Sequence, residues 1–156
     1  MRIAYLSSAS IPSCSANSIH IMKMCQAFAR AEHEVMLFAP DYSDSRDPGQ
    51  PDPFDCYGVD RVFNIDFLPW KDRIGGGARY RLHSAWKVKH LGFDLAFGRG
   101  LAACCFASWL GVPTIYETHT PVEDDGLVGC SLFSLLIRSP SFKYLVVITD
   151  ALRQHF

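Results

Sequence analysis

The sequence predicts an α/β fold: a Rossmann-like, doubly wound, mostly parallel sheet with helices on both faces. Three observations carry this. Short apolar runs suited to buried strands alternate with stretches of helical periodicity along the chain. Residues 3–39 open with a complete strand–helix–strand unit. The composition, 49% hydrophobic and 20% charged over 156 residues, suffices for one buried core and matches the size of one domain.

The elements follow in order. Residues 3–7 form a short apolar strand, and 8–17 a loop of small residues. A helix is expected over 18–31, because Ile21, Met24, Cys25 and Phe28 fall on one i, i+3, i+4, i+7 stripe, with Asn17 or Ser18 as N-cap. Residues 34–39 form a second strand closed by Pro40, and the Asp- and Pro-rich stretch 40–60 a long surface loop. A third strand is expected at 61–66, then a break at Gly75-Gly76-Gly77 before a helix over 78–90. The fourth strand is 94–97, its helix 101–110, and the fifth strand 114–117 after the Gly111-Val-Pro113 turn. A helix over 126–138, a sixth strand at 144–149 and a helix starting at Asp150 complete the chain. No internal repeat and no low-complexity segment interrupts this order.

Bulk properties narrow the function. The net charge of −1 gives no general footprint for nucleic acid. The six cysteines form no CxxC pair and lack zinc-finger spacing to histidine. Several lie in apolar runs and read as reduced thiols of a cytoplasmic protein. Arg2 is followed by too few apolar residues for a secretory signal. The apolar stretch Gly126–Ile137 is far short of the roughly 20 residues a membrane helix needs.

In a sheet of this kind ligands bind outside the carboxyl ends of the strands, where the strand order reverses. The 8–17 loop contains no glycine, which argues against a dinucleotide site. There is no GxxxxGK[ST] loop and no GxSxG elbow. A helix N-terminus near Asn17 still offers free N–H groups to an anion, with His20 in its first turn. His20 either faces that ligand or packs against Met24. Glu117 and His119 stand two apart at a strand end, where a sugar site wants a carboxylate and an imidazole for hydroxyls and for shifting charge. A strand-end salt bridge is the other reading. Arg99, between Gly98 and Gly100, suits a phosphate or carboxylate, or is a solvated surface arginine. Six of the 15 basic residues fall within 71–90, interleaved with Tyr80 and Trp86 and opposed only by Asp72. That segment serves as a solvated helix face, or contacts an anionic membrane surface or a phosphate-bearing acceptor.

Taken together, Met1-Arg-Ile-Ala-Tyr-Leu, Asn17-Ser-Ile-His20, Asp94-Leu-Ala-Phe-Gly-Arg99, Gly111-Val-Pro113-Thr-Ile-Tyr-Glu117-Thr-His119 and Val146-Val-Ile-Thr-Asp150 resemble, in order and spacing, group 1 (family 4) glycosyltransferases. The resemblance implies a GT-B architecture, of which residues 1–156 are the N-terminal, mainly acceptor-binding domain, and a second domain that holds most of the nucleotide-sugar donor. It implies transfer with retention, no metal held by an acidic triplet, and no cofactor beyond the donor as co-substrate. His119 is similar to the family's histidine at the reaction centre and Glu117 to its companion acid. Ala16, Asn17 and His20 fall in the segment facing the donor phosphates, and Arg99 at a cleft position. Many members carry Gly-Gly where this chain has Ala16-Asn17. The expected partners are a sugar or lipid-linked acceptor, the nucleotide-sugar, and the C-terminal domain in cis or in trans, at the inner face of a membrane. Without that domain the expectation is a chain that does not turn over. The alternative is a non-catalytic sugar- or phosphate-binding module.

Overall fold

The computed structural model describes residues 1–41, 51–70 and 76–156. Six strands run parallel: β1 (Arg2–Leu6), β2 (Glu34–Asp41), β3 (Asn64–Pro69), β4 (Leu95–Gly98), β5 (Thr114–Thr118) and β6 (Phe142–Val147). Their order across the sheet is β3-β2-β1-β4-β5-β6. The chain builds outward from β1 to β3, then returns to the other side of β1 and builds to β6. The reversal therefore lies between β1 and β4. This is the Rossmann-like α/β fold that the alternating pattern predicts.

Among the described residues five α-helices lie between strands, α1 (Ala16–Arg30), α2 (Pro53–Tyr57), α3 (Gly76–His90), α4 (Leu101–Trp109) and α5 (Gly126–Ile137), and α6 (Asp150–His155) follows β6. Alternation along β1 sorts the two cores, since successive side chains point to opposite faces of a sheet. Ala4 and Leu6 join Phe38 under α3, α4 and α5, packing with Tyr80, Val88, Cys104 and Leu136. Ile3 and Tyr5 point the other way and pack with Leu37 under α1, against Ile21, Met22 and Cys25. Helices thus cover both faces. All six cysteines are free thiols, and Cys25, Cys104 and Cys105 are buried.

Several boundaries differ from expectation, each for a local reason. The N-cap of α1 is Ser15, not Asn17 or Ser18. Its extended backbone lets its hydroxyl accept from Ser18 N–H at 3.2 Å. Strand β2 runs through Pro40 to Asp41. Past Phe38 it has lost β1 as a neighbour and pairs only with β3, so the missing proline N–H breaks no second ladder. Within the expected 40–60 loop, α2 forms because Asp52 caps Phe54 N–H at 2.8 Å, Pro53 opens the helix, and Gly58 closes it at φ 53°. Residues 42–50 of that loop, and 71–75 with Lys71, Asp72, Arg73 and Gly75, lie outside the described residues. Strand β3 begins at Asn64, not residue 61, because the chain turns at Val62 N–H to Asp60 C=O and commits Phe63 to the core. Strand β6 begins earlier and ends at Val147, because Thr149 is needed as the N-cap of α6, its hydroxyl accepting from Leu152 N–H at 3.1 Å.

Candidate functional site

The carboxyl ends of β1, β4 and β5 open on one side of the sheet. Each delivers polar side chains there. The loop after β1 leads into the N-terminus of α1, the turn after β4 carries Arg99, and β5 ends in Glu117 and Thr118 before His119. Ala16, Asn17, His20, Arg99, Glu117 and His119 line a single cavity of about 410 Å³, joined by Ile148. All six residues singled out from the sequence are brought together. Ile148 is the addition. It is the first residue beyond β6 and reaches the same edge.

Sequence-distant contacts organise the cavity. With Ser15 capping α1, the Asn17 side chain is released from capping, and its Oδ1 accepts from Arg99 Nη1 at 2.7 Å. Arg99 is not a solvated surface arginine, since its side chain is only 11% exposed. Its Nε approaches Glu117 Oε1 at 3.6 Å, too long for a hydrogen bond. The His20 ring turns a nitrogen to the cavity. Its Nε2 lies 3.0 Å from Glu117 Oε1 and 3.2 Å from Oε2. Only the Oε2 contact has hydrogen-bond geometry, so the buried Oε1 is held by proximity to two donors without a bond from either. Glu117 is almost wholly buried. A buried carboxylate is tolerated when cationic or donor groups face it, and here an imidazole and a guanidinium do so.

Below this group lies Tyr5, a β1 residue with no signal in the sequence. Its phenol is buried without a hydrogen bond. Burial first, and the Glu117 carboxylate second, push its pKa far up, so it stays protonated. Neighbouring Tyr116 is pushed up to about 12, again chiefly by burial.

His119 differs from the rest. It sits exposed at the rim, and among the described residues its imidazole has no hydrogen-bond partner. Partial burial against the cavity wall and the nearby Arg99 charge lower its pKa below the ordinary histidine value, while Glu117 works against both. Its neutral form is thereby favoured, leaving one ring nitrogen to donate and the other to accept.

A second cavity of about 420 Å³ lies between the first loop and α2, lined by Pro12, Ile19, Tyr57 and neighbours, with no carboxylate, imidazole or guanidinium in its wall. Of these two cavities, the first is the one that gathers carboxylate, imidazole and guanidinium groups. Among the described residues no three His, Cys, Asp or Glu side chains come together to hold a metal ion. Among them also no helix is long and apolar enough to cross a membrane.

Residues 18–156 match the family described as Glycosyltransferase Family 4, a span that includes His20, Arg99, Glu117, His119 and Ile148 and begins just after Ala16 and Asn17. No curated protein matches the chain.

Proposed function

The chain belongs to Glycosyltransferase Family 4, and from that membership and the cleft we propose that it forms the acceptor-side wall of a retaining, GT-B glycosyltransferase. The observation that carries this reading is the convergence of Asn17, His20, Arg99, Glu117 and His119 on one cavity at the strand-order reversal. Ligands of open α/β sheets bind at that place. Amide, imidazole, guanidinium and carboxylate groups together can donate to and accept from the several hydroxyls of a sugar.

In this reading the N-terminus of α1, with Ala16 and Asn17, faces the donor phosphates through its free N–H groups. Arg99 supplies the cation beside them. His119, neutral and unpartnered, hydrogen-bonds the sugar at the reacting end. Glu117, close to both His20 and Arg99, sets the position of both and so acts as a positioning residue. A second domain, in cis or in trans, contributes the rest of the nucleotide-sugar site, and a sugar or lipid-linked acceptor enters from this side. No cofactor beyond the donor is required. The buried free thiols fit a reducing, cytoplasmic compartment.

The test is sugar transfer from a nucleotide-sugar by this chain combined with its donor-binding domain. His119→Ala is expected to lower kcat by about 100-fold or more, the scale of losing a positioned hydrogen-bonding group in an active site. Unchanged turnover in that variant removes His119 from the reaction. Sugar binding by calorimetry, with no turnover even beside a donor-binding domain, would instead assign a binding module.

A further inference from the structure

We propose that the outer surface of α3, with the adjoining C-terminal ends of α4 and α5, docks on an anionic lipid bilayer. The inference is independent of the cleft's chemistry. On α3 the inward positions Tyr80, Ser84, Ala85 and Val88 are buried. The outward stripe at helical spacing is Arg79, Leu82, His83, Trp86, Lys89 and His90. Leu82 and Trp86, one turn apart, are 52% and 50% exposed. Trp86 stacks on His90, with ring centroids 4.0 Å apart.

The neighbouring helices extend the surface. Trp109, at the end of α4, is 54% exposed, and its indole N–H donates to Leu135 C=O of α5 at 3.0 Å, so it bridges the seam between the two. Leu135 and Ile137 are themselves exposed. Lys89 reaches across to the turn after α4, its Nζ 3.6 Å from where a Cβ on Gly111 would stand. Arg138 follows α5.

Charge selects the occupant. Helices α3, α4 and α5 contain no aspartate or glutamate. The acidic cluster Glu123, Asp124 and Asp125 precedes α5 at its other end, and the carboxylates beside α3 are engaged, Asp66 by Lys87 and Glu34 and Asp94 by Arg2. The opposite face of the sheet differs, with Glu32, Asp52, Asp55 and Asp60 around α1 and α2. Helices that pair exposed tryptophans with lysine and arginine and carry no carboxylate of their own suit an interface of anionic headgroups over acyl chains.

The structure also corrects which basic residues take part. Lys87 is paired with Asp66, and Arg81 is half-buried beside the N-terminus of α4. Tyr80 is buried, and its hydroxyl donates to the backbone carbonyls of Ser7 and Phe38. Lys71 and Arg73 lie outside the described residues. Arg79, Lys89 and Arg138 remain.

The experiment is co-sedimentation of the chain with vesicles of phosphatidylcholine alone and of phosphatidylcholine mixed with phosphatidylglycerol, with tryptophan fluorescence read in parallel. Binding is expected only to the mixed vesicles, reversed by high salt, with a blue shift that Trp86→Phe and Trp109→Phe each reduce. Arg79→Gln and Lys89→Gln, at exposed positions, should each weaken partitioning about fivefold with an unchanged circular dichroism spectrum. Equal binding to neutral vesicles, no binding to either, or insensitivity to both charge variants overturns the proposal. So does self-association in solution that Trp86→Ser abolishes, which would assign the surface to a second copy of the chain.

Discussion

At the scale of single residues, the cleft is a set of opposing pulls on His119. Partial burial and then the Arg99 charge lower its pKa, the Glu117 carboxylate raises it, and Asp125, raising, and His20, lowering, add smaller pulls. The sign of each variant follows. His119 should titrate below the ordinary histidine value of about 6.5 when followed by proton NMR. Arg99→Gln removes a lowering influence, so the midpoint should rise, though only in part, because burial remains the larger cause. Glu117→Gln removes the raising influence, so the midpoint should fall further. The folded state then binds fewer protons at His119 than the unfolded chain, so this residue's contribution to stability is present above the unfolded value and lost as the solution is acidified from there through the lower folded value. A midpoint at or above the ordinary value, or the opposite order of the two variants, would show that the imidazole does not share the cavity with these charges. Which residues line the cleft was legible in the sequence, because the rule that ligands sit beyond strand ends selects the segments that hold Asn17, Arg99, Glu117 and His119. Ile148 was not legible. A strand placed at 144–149 puts it inside the sheet, whereas the true end at Val147 frees it for the cavity edge. Nor were the pairings. Asn17 meets Arg99 across 82 residues and His20 meets Glu117 across 97, and nothing local encodes such contacts.

At the scale of elements, the reversal of strand order depends on how closely β4 approaches β1. Gly98 ends β4 opposite Leu6, and a Cβ there would stand 2.3 Å from the Leu6 carbonyl oxygen. The clash is with backbone and not with a movable side chain, so it must part the two strands just where the cavity opens. Gly98→Ala should therefore destabilise the fold by about 1–3 kcal/mol, the usual cost of overpacking. Urea unfolding should show this as a lower midpoint with an unchanged slope. A midpoint equal to the parent's would mean that the β1–β4 spacing is not set by this glycine. Element types were read correctly wherever periodicity was long. Boundaries were missed where a cap or a turn competes with apolar content. Ser15 outcompetes Asn17 for the end of α1, Thr149 cuts β6 short, and Asp52-Pro53 starts a helix inside a stretch that looks like loop. The signals for α2 were present as an Asp–Pro start and a Gly stop around five residues, but so short a helix has no apolar period to reveal it.

At the scale of the whole molecule, the two cores share the strands of one sheet, with β1 at its centre. β1 sends Ile3 and Tyr5 into the core under α1, and Ala4 and Leu6 into the core under α3, α4 and α5. Each core carries its own reporter, Cys25 on the first side and Cys104 with Cys105 on the second. Burial raises the pKa of Cys25 and of Cys104 well above the ordinary thiol value, so little of the reactive thiolate exists in the native state, and access is closed as well. Cys14 and Cys56 are exposed. Under native conditions an alkylating reagent followed by peptide mass mapping should therefore modify Cys14 and Cys56 and spare Cys25, Cys104 and Cys105. As urea is added, the buried thiols report whether the cores open together. Because alternate residues of β1 belong to both, releasing one face withdraws the packing partners that hold β1 for the other. Cys25 and Cys104 are expected to become reactive over the same range of urea, as in a single cooperative unit. Labelling of Cys25 well before Cys104 would show instead that α1, which carries His20 and the N-terminal wall of the cleft, opens as a separate unit. In that case the cleft would be built on a rigid half and a labile half.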